Sequence, residues 1–295
     1  MITKYIDTSL LLDNNIKFIT LLLLLLLMRM FYRGWFGYKM LNQAQAISFS
    51  GMLIGVCFIL IGTTNAMVFA AEDSYTTQYT LAFALVGTAL LFVNRYILDK
   101  IALPKLSLRR LLSENNLSIA IIDASHSIAL AIILSHVMTW SVFSLDEGII
   151  ILLSAAILIE LLLLGLTYYR KWQLRHLSTH DFQELIKHHN TPIAIRFAGH
   201  RIGAAIIIAL GVQMVQFDRS ILNEVLLTWL VFSLLMLFIV EKLLKFVAYC
   251  IVGSSENYHN LSNISAALFR AALYIAICLF MYQLLPAFGY NAYGG

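Results

Sequence analysis

KMLNQAQAISFSGMLIGVCFILI (residues 39–61) and KHHNTPIAIRFAGHRIGAAIIIA (residues 187–209) agree at nine of 23 positions when offset by 148. The shared residues are Lys39, Asn42, Ala46, Ile47, Phe49, Gly51, Ile54, Gly55 and Ile59. At an offset of 147, Asn116, Ser118, Ala120, Ala124, Ile128 and Ala129 meet Asn263, Ser265, Ala267, Ala271, Ile275 and Ala276. One asparagine therefore recurs at Asn42, Asn116, Asn190 and Asn263, with spacings of 74, 74 and 73, each time just before a long apolar run. The chain is a fourfold repeat, and units of this kind bury their apolar faces by stacking on their neighbours.

Small residues keep the same register. Ala46/Ser50, Ala120/Ala124, Ala194/Ala198 and Ala267/Ala271 stand four and eight positions beyond each asparagine. Residues at i and i+4 share a helix face, and small ones let two membrane helices approach closely. Gly51, Gly55, Gly199 and Gly203 extend this packing face in copies one and three, where the second copy has Ser125 and Ala129.

Of the 295 residues 60% are hydrophobic and 12% charged, with mean hydropathy +0.82. That leaves too little polar surface for a soluble globule and points to an integral membrane protein. A spanning helix needs about 20 apolar residues. Eight segments qualify: 16–36, 45–69, 79–98, 117–143, 148–169, 192–216, 221–248 and 265–285. The expected fold is an all-α polytopic bundle of four parallel two-helix repeats, in two pseudo-symmetric halves, residues 1–143 and 144–295.

Fourteen of the 20 basic residues fall in the loops after segments one, three, five and seven, including Arg95, Arg170 and Lys242. The positive-inside rule then places these loops in the cytoplasm and both termini in the periplasm. The net charge of +4 follows from this topology, so no nucleic-acid partner is implied. The Leu21 to Leu27 run, followed by Arg29 and Arg33 with no small-residue cleavage site, reads as a retained first span. Cys57, Cys250 and Cys278 lie in or beside apolar helices without metal or disulfide spacing and read as packing residues. Trp140, Trp172 and Tyr290 stand at segment boundaries as interfacial anchors do.

Each repeated asparagine suits a helix N-cap, and Pro192 suits a first turn. Four such N-termini on the basic side would also favour anionic lipid head groups there. Deeper in the segments stand side chains that are costly in a bilayer. Asp123 and Arg270 lie seven residues beyond Asn116 and Asn263, about 10 Å along a helix. Arg196 and Glu160 fall at similar depth. These four read as an ion-paired intramembrane cluster. His126 and His200, both ten residues beyond their asparagine, sit one turn deeper, and Ser125 and Ser127 flank His126. A buried imidazole near a carboxylate can carry protons, while Asp123, His126 and His200 form only a weak metal constellation. In the stretch 169–190, His176, His180, His188 and His189 with Asp181 and Glu184 read as the outer face of a short amphipathic helix. Leu174, Leu177, Phe182 and Leu185 would be its inner face. No nucleophile elbow, P-loop, dinucleotide fingerprint or HExxH is present, so conventional soluble-type catalysis is unsupported and no cofactor is expected.

ENNLSIAIIDASHSIALAII (residues 114–133) and HNTPIAIRFAGHRIGAAI (residues 189–206) resemble the bacterial inner-membrane family of domain of unknown function 350, whose unit is an Asn-led, small-residue-rich helix preceded by another span. The resemblance implies tandem copies, an inner-membrane location and a link to membrane-stress or polyamine-related gene neighbourhoods, and it implies no activity. Two function classes lead, and an intramembrane metalloenzyme on Asp123, His126 and His200 is a third. One is a channel or transporter for protons or small cations along Asp123, His126, Glu160 and His200, with Arg196 and Arg270 as counter-charges. The other is a non-catalytic membrane scaffold or stress-response subunit that recruits lipid or a protein partner, with homo-oligomerisation open in either case.

Overall fold

A computed structural model describes residues 24, 29–30, 41–68, 76–140, 145–175, 181–252 and 263–292, with backbone alone at 64–68, 76–78, 252 and 287–292. The described residues are all-helical: α1 Gln43–Val68, α2 Thr76–Ile97, α3 Leu108–Ser113, α4 Leu117–Val137, α5 Leu145–Arg175, α6 Phe182–Lys187, α7 Thr191–Met214, α8 Leu222–Val252 and α9 Ile264–Ala292. Six regions are long and apolar enough to cross a membrane: Gln43–Thr63, Tyr79–Ala102, Leu117–Trp140, Leu145–Arg175, Thr191–Met214 and Ile264–Pro286. Six of the eight expected segments are met by these regions. Segment 16–36 lies almost wholly outside the described residues, and α8, where a further span was expected, is not among the six.

The Asn-led helices α1, α4, α7 and α9 form the spine. The most extensive packing runs α1 on α4, α4 on α7 and α7 on α9, with α2, α5 and α8 set against this row. The two middle helices are the core, since 83% of the apolar window of each is buried, against 28% for α9 at the end of the row.

Glycine sets the closeness of the row. A Cβ placed on Gly51 would stand 2.3 Å from Ala124 Cα, and one on Gly199 would stand 2.3 Å from Ala271 Cβ. A Cβ on Gly62 would stand 2.5 Å from Ser135 Cα. Gly51 and Gly62 are nine and 20 residues beyond Asn42, while Ala124 and Ser135 are eight and 19 beyond Asn116, so α1 and α4 run parallel and in register. The glycine face of one copy therefore receives the alanine face of the next. This head-to-tail rule bears on a departure from expectation: Ala46 and Ser50, expected in a helix contact, are exposed, and among the described residues no Asn-led helix precedes α1. Ala272 and Ala276, at the glycine positions of α9, are exposed as well.

In the middle of the row the position that matches Gly51 and Gly199 is Ser125. Ala198 is buried there as its counterparts Ala124 and Ala271 are, so the α4–α7 junction keeps the alanine of this contact without the glycine.

The repeated asparagine does two jobs. Its Oδ1 caps its own helix, accepting from the N–H three residues on: Gln45 at 2.8 Å, Ile119 at 3.2 Å, Ile193 at 3.1 Å and Ala266 at 3.1 Å. Gln45 Oε1 returns a bond from Asn42 N at 3.1 Å, completing a capping box. Its Nδ2 reaches into the following copy. Asn42 donates to Leu112 O at 2.8 Å and Ser113 O at 3.3 Å, and Asn116 donates to Ile186 O at 2.9 Å and Lys187 O at 3.3 Å. Those carbonyls end the short helices α3 and α6, where intrahelical partners run out. Both short helices close alike, with Asn115 (φ 57°) and His189 (φ 59°) left-handed and the next N–H bonded back across the turn, Asn116 N to Leu111 O at 2.9 Å and Asn190 N to Leu185 O at 3.0 Å. This is a Schellman closure whose last residue is also the cap of the following helix.

The helix expected within 169–190 forms as α6, with Phe182 buried and Ile186, in place of Leu185, at its deepest point. His176, His180 and Leu177 lie outside the described residues, and His188 and His189 are exposed. Trp172 is exposed, but Trp140 is buried against Phe217 and Trp229, so it is a packing residue and no interfacial anchor. The Tyr290 side chain is outside the described set. Cys57 and Cys250 face outward, and only Cys278 is packed inside.

Candidate functional site

Three polar groupings cross the bundle near the Asn-capped ends of the spine. The first joins α1, α2 and α4. Ser48 Oγ donates to Asp123 Oδ2 at 2.5 Å, and Arg95 Nη2 lies 3.1 Å from the same oxygen while donating to Ser48 Oγ at 3.1 Å. Arg95 and Asp123 are both 1% exposed. A buried pair of this kind holds only while both partners are present, because either charge alone would be uncompensated in hydrocarbon. Asp123 thus pairs with Arg95, a residue that by sequence belongs to the basic loops, and the structure does not assemble the expected quartet of Asp123, Glu160, Arg196 and Arg270.

The second grouping joins α2, α4, α5 and α7. With its amide nitrogen turned toward Glu160, Asn94 donates to the two carboxylate oxygens at 2.8 and 3.2 Å and also meets His126 Nε2. Arg201, 3% exposed, donates to Thr167 Oγ1 at 2.6 Å and is close enough to Glu160 and His126 for their charges to interact. His126 and Glu160 are therefore brought together, by Asn94.

The third grouping joins α5, α7, α8 and α9. Glu241 accepts from Arg170 and is bonded to His200 Nε2, and the His200 ring stacks on Tyr274 with centroids 4.3 Å apart. Arg196 and Arg270 line a cavity with Arg170 and His200. Asp123, His126 and His200, the weak metal candidates, thus have separate partners. Among the described residues no group of three or more His, Cys, Asp or Glu side chains could hold a metal ion.

Beyond this layer the spine turns apolar. Ala129 to Leu134 of α4 and Ala204 to Leu210 of α7 are buried throughout. Polar contact there is sparse: Trp229 Nε1 donates to Ile208 O at 2.9 Å, and at the far ends Tyr282 Oη meets His136 Nε2 at 2.7 Å and accepts from Gln213 Nε2 at 2.5 Å.

The repeat, the parallel Asn-led spine and the chain's own copies on both sides of its midpoint agree with one family pattern, which matches residues 15–138, 69–212 and 144–285 in overlapping tandem. The chain belongs to the Domain of Unknown Function (DUF350) family. No curated protein and no solved structure matches it. The DUF350 pattern was legible in the Asn-led helices. Arg95, Asn94, Arg201 and Glu241 were not singled out, although Arg201 stands within an expected span and Asn94 and Arg95 within the end of another, where a polar side chain is itself a signal.

Proposed function

We propose that this membrane protein is a non-catalytic scaffold of the bacterial inner membrane, whose polar layer fixes the order and register of its helices and whose basic side recruits a ligand. The single observation that carries this reading is the confinement of the buried charged and histidine side chains to one layer among the described residues, with apolar side chains filling α4 and α7 beyond it. A conduit needs polar groups at every depth, and the run from Ala129 to Leu134 offers no polar side chain. On this reading α8 and residues 16–36 add the two further spans of a four-plus-four arrangement. Both termini are periplasmic, and α3 and α6 lie on the cytoplasmic side, consistent with the basic residues there.

Transport is the second reading. Asp123 Oδ1 and His126 Nδ1 are buried without a hydrogen-bond partner among the described residues, which leaves sites where a proton or a water could dock. Flux decides between the two. The chain is reconstituted in liposomes, and proton and potassium flux are followed with pH-sensitive and potential-sensitive dyes. The scaffold reading expects no flux above protein-free liposomes. Flux in the parent that Asp123→Asn or His200→Ala reduces about tenfold or more would overturn it.

A further inference from the structure

The two ends of the spine bring the same helix positions together with opposite chemistry. Six residues beyond Asn42 and seven beyond Asn116 are Ser48 and Asp123, which bond directly. Six beyond Asn190 and seven beyond Asn263 are Arg196 and Arg270, which line one cavity of about 70 Å³ together with Arg170 and His200. Where the first junction is neutral and closed, the second gathers three guanidinium groups round an open space. Arg170 Nε is buried there without a hydrogen-bond partner among the described residues. The two Nη groups of Arg170 donate to Gln173 Oε1 and Glu241 Oε1, and Glu241 is also bonded to His200. Planar guanidinium groups converging in this way match the oxygens of a phosphate.

A second cavity of about 630 Å³ adjoins the first, and the two share His200 and Tyr274 as walls. Its other walls are the facing apolar sides of α5 and α8, among them Leu158, Leu161, Leu230, Leu234 and Phe238. Its size falls within the range of about 300–1,000 Å³ usual for ligand pockets. Gly165 lines it, and a Cβ at Gly165 would meet nothing within 4 Å. A mid-helix glycine that no neighbour requires leaves a slot open along the wall. One end of the combined space is basic and the other is hydrocarbon, which is the shape of an amphiphile.

We infer that α5, α7, α8 and α9 hold one anionic glycerophospholipid taken from the surrounding bilayer, its phosphate among Arg170, Arg196 and Arg270 and an acyl chain along the slot past Gly165. This deepens the scaffold reading by naming its ligand and rests on that reading only in treating the basic side as a recruiting face. Lipid binding and ion flux are separate measurements, so either can fail alone.

The test uses the full chain in detergent, titrated with phosphatidylglycerol and with phosphatidylcholine of identical acyl chains and read by native mass spectrometry, with inorganic phosphate as a competitor. Phosphatidylglycerol should bind about tenfold or more tightly than phosphatidylcholine. The double variant Arg196→Gln/Arg270→Gln should bring the two lipids within about twofold of each other. Gly165→Phe, which has room for its ring and no fold contact to lose, should weaken both lipids about tenfold with the thermal midpoint unchanged. Preference retained in the folded double variant, or undiminished binding in Gly165→Phe, overturns the inference. Displacement of phosphatidylglycerol by millimolar inorganic phosphate would also overturn it, making the ligand a free anion.

Discussion

The α1–α4 junction and the α7–α9 junction start from one repeated sequence and end as different objects. Both rest on a glycine nine residues beyond the asparagine, Gly51 or Gly199, pressed against an alanine eight beyond the next one, Ala124 or Ala271. Just before these contacts, the first junction places a serine and an aspartate and closes them with Arg95 from α2. The second places two arginines there and leaves a cavity. Backbone approach was thus kept in both halves while the polar inventory diverged. The shared contact is structural, and the divergent one is where a specific role can reside.

The largest effect should come from breaking the closed junction. Asp123→Ala leaves Arg95 buried without its carboxylate, and losing one partner of a buried pair costs about 3–5 kcal/mol. Thermal unfolding in detergent should register this as a large drop in midpoint, whereas Asp123→Leu combined with Arg95→Met should recover most of it, because a buried pair and an apolar replacement are often similar in stability. Arg270→Gln at the equivalent position of the open junction should cost much less, since Arg270 is only partly buried and its charge opposes that of Arg170. A loss for Arg270→Gln as large as that for Asp123→Ala would mean that the open junction is a structural lock like the first.

Next in size are the glycines, where the two junctions should behave alike. Gly51→Ala and Gly199→Ala each force a methyl group into an alanine of the neighbouring helix, an overpacking that costs about 1–3 kcal/mol, offset by about 1 kcal/mol of helix propensity. Unequal losses in the two variants, again by thermal midpoint, would show that the helices at one junction can part more easily. Smaller still is Asn116→Asp. It keeps the cap at Ile119 N but replaces the donor to Ile186 O and Lys187 O with a carboxylate oxygen, at a cost of about 1–2 kcal/mol. Asn116→Ala loses the cap as well, adding about 1 kcal/mol. If the two variants are equally stable, the bond between copies contributes nothing.

How much of this was legible in the chain follows from what each feature depends on. Caps and packing glycines depend on local register, so a repeat of 74 residues exposes them before any coordinates. The partner of Asp123 depends on how α2 rotates against α4. Nothing in the local pattern says that Arg95 turns inward, because an arginine near the end of a span reads equally as a loop charge. Arg196 and Arg270 were legible as misplaced charges of one layer, but that they line one cavity follows only once the head-to-tail order of the helices is known. The bond that Asn42 and Asn116 each donate through Nδ2 was hidden in a similar way. It serves the end of a short helix in the next copy, whose Schellman closure leaves only the single residues Asn115 and His189 as its sequence trace.

The smallest effect should come from the polar loops that carry α3 and α6, where both halves meet water. Lys105 Nζ lies 2.8 Å from Asp181 Oδ2, and Gln183 Oε1 accepts from Lys105 N at 2.9 Å, tying the loop before α3 to the start of α6. The hydrogen bond from Lys105 holds the Asp181 carboxyl below its usual range. A carboxylate whose folded value is depressed stabilises the fold above its unfolded value, about 3.9, and loses that contribution as pH falls through the folded value. The tie should therefore be fully present at neutral pH and fade only below about pH 4. Lys105 is two-thirds exposed, so the contribution is that of a surface pair and is screened by salt. Hydrogen exchange at the amides of α6, compared between pH 7 and acid and between low and high salt, should show Lys105→Ala changing protection slightly and only at α6. A loss of protection spreading into α4 or α7 would mean that the loops, and not the glycine contacts, hold the two junctions in register.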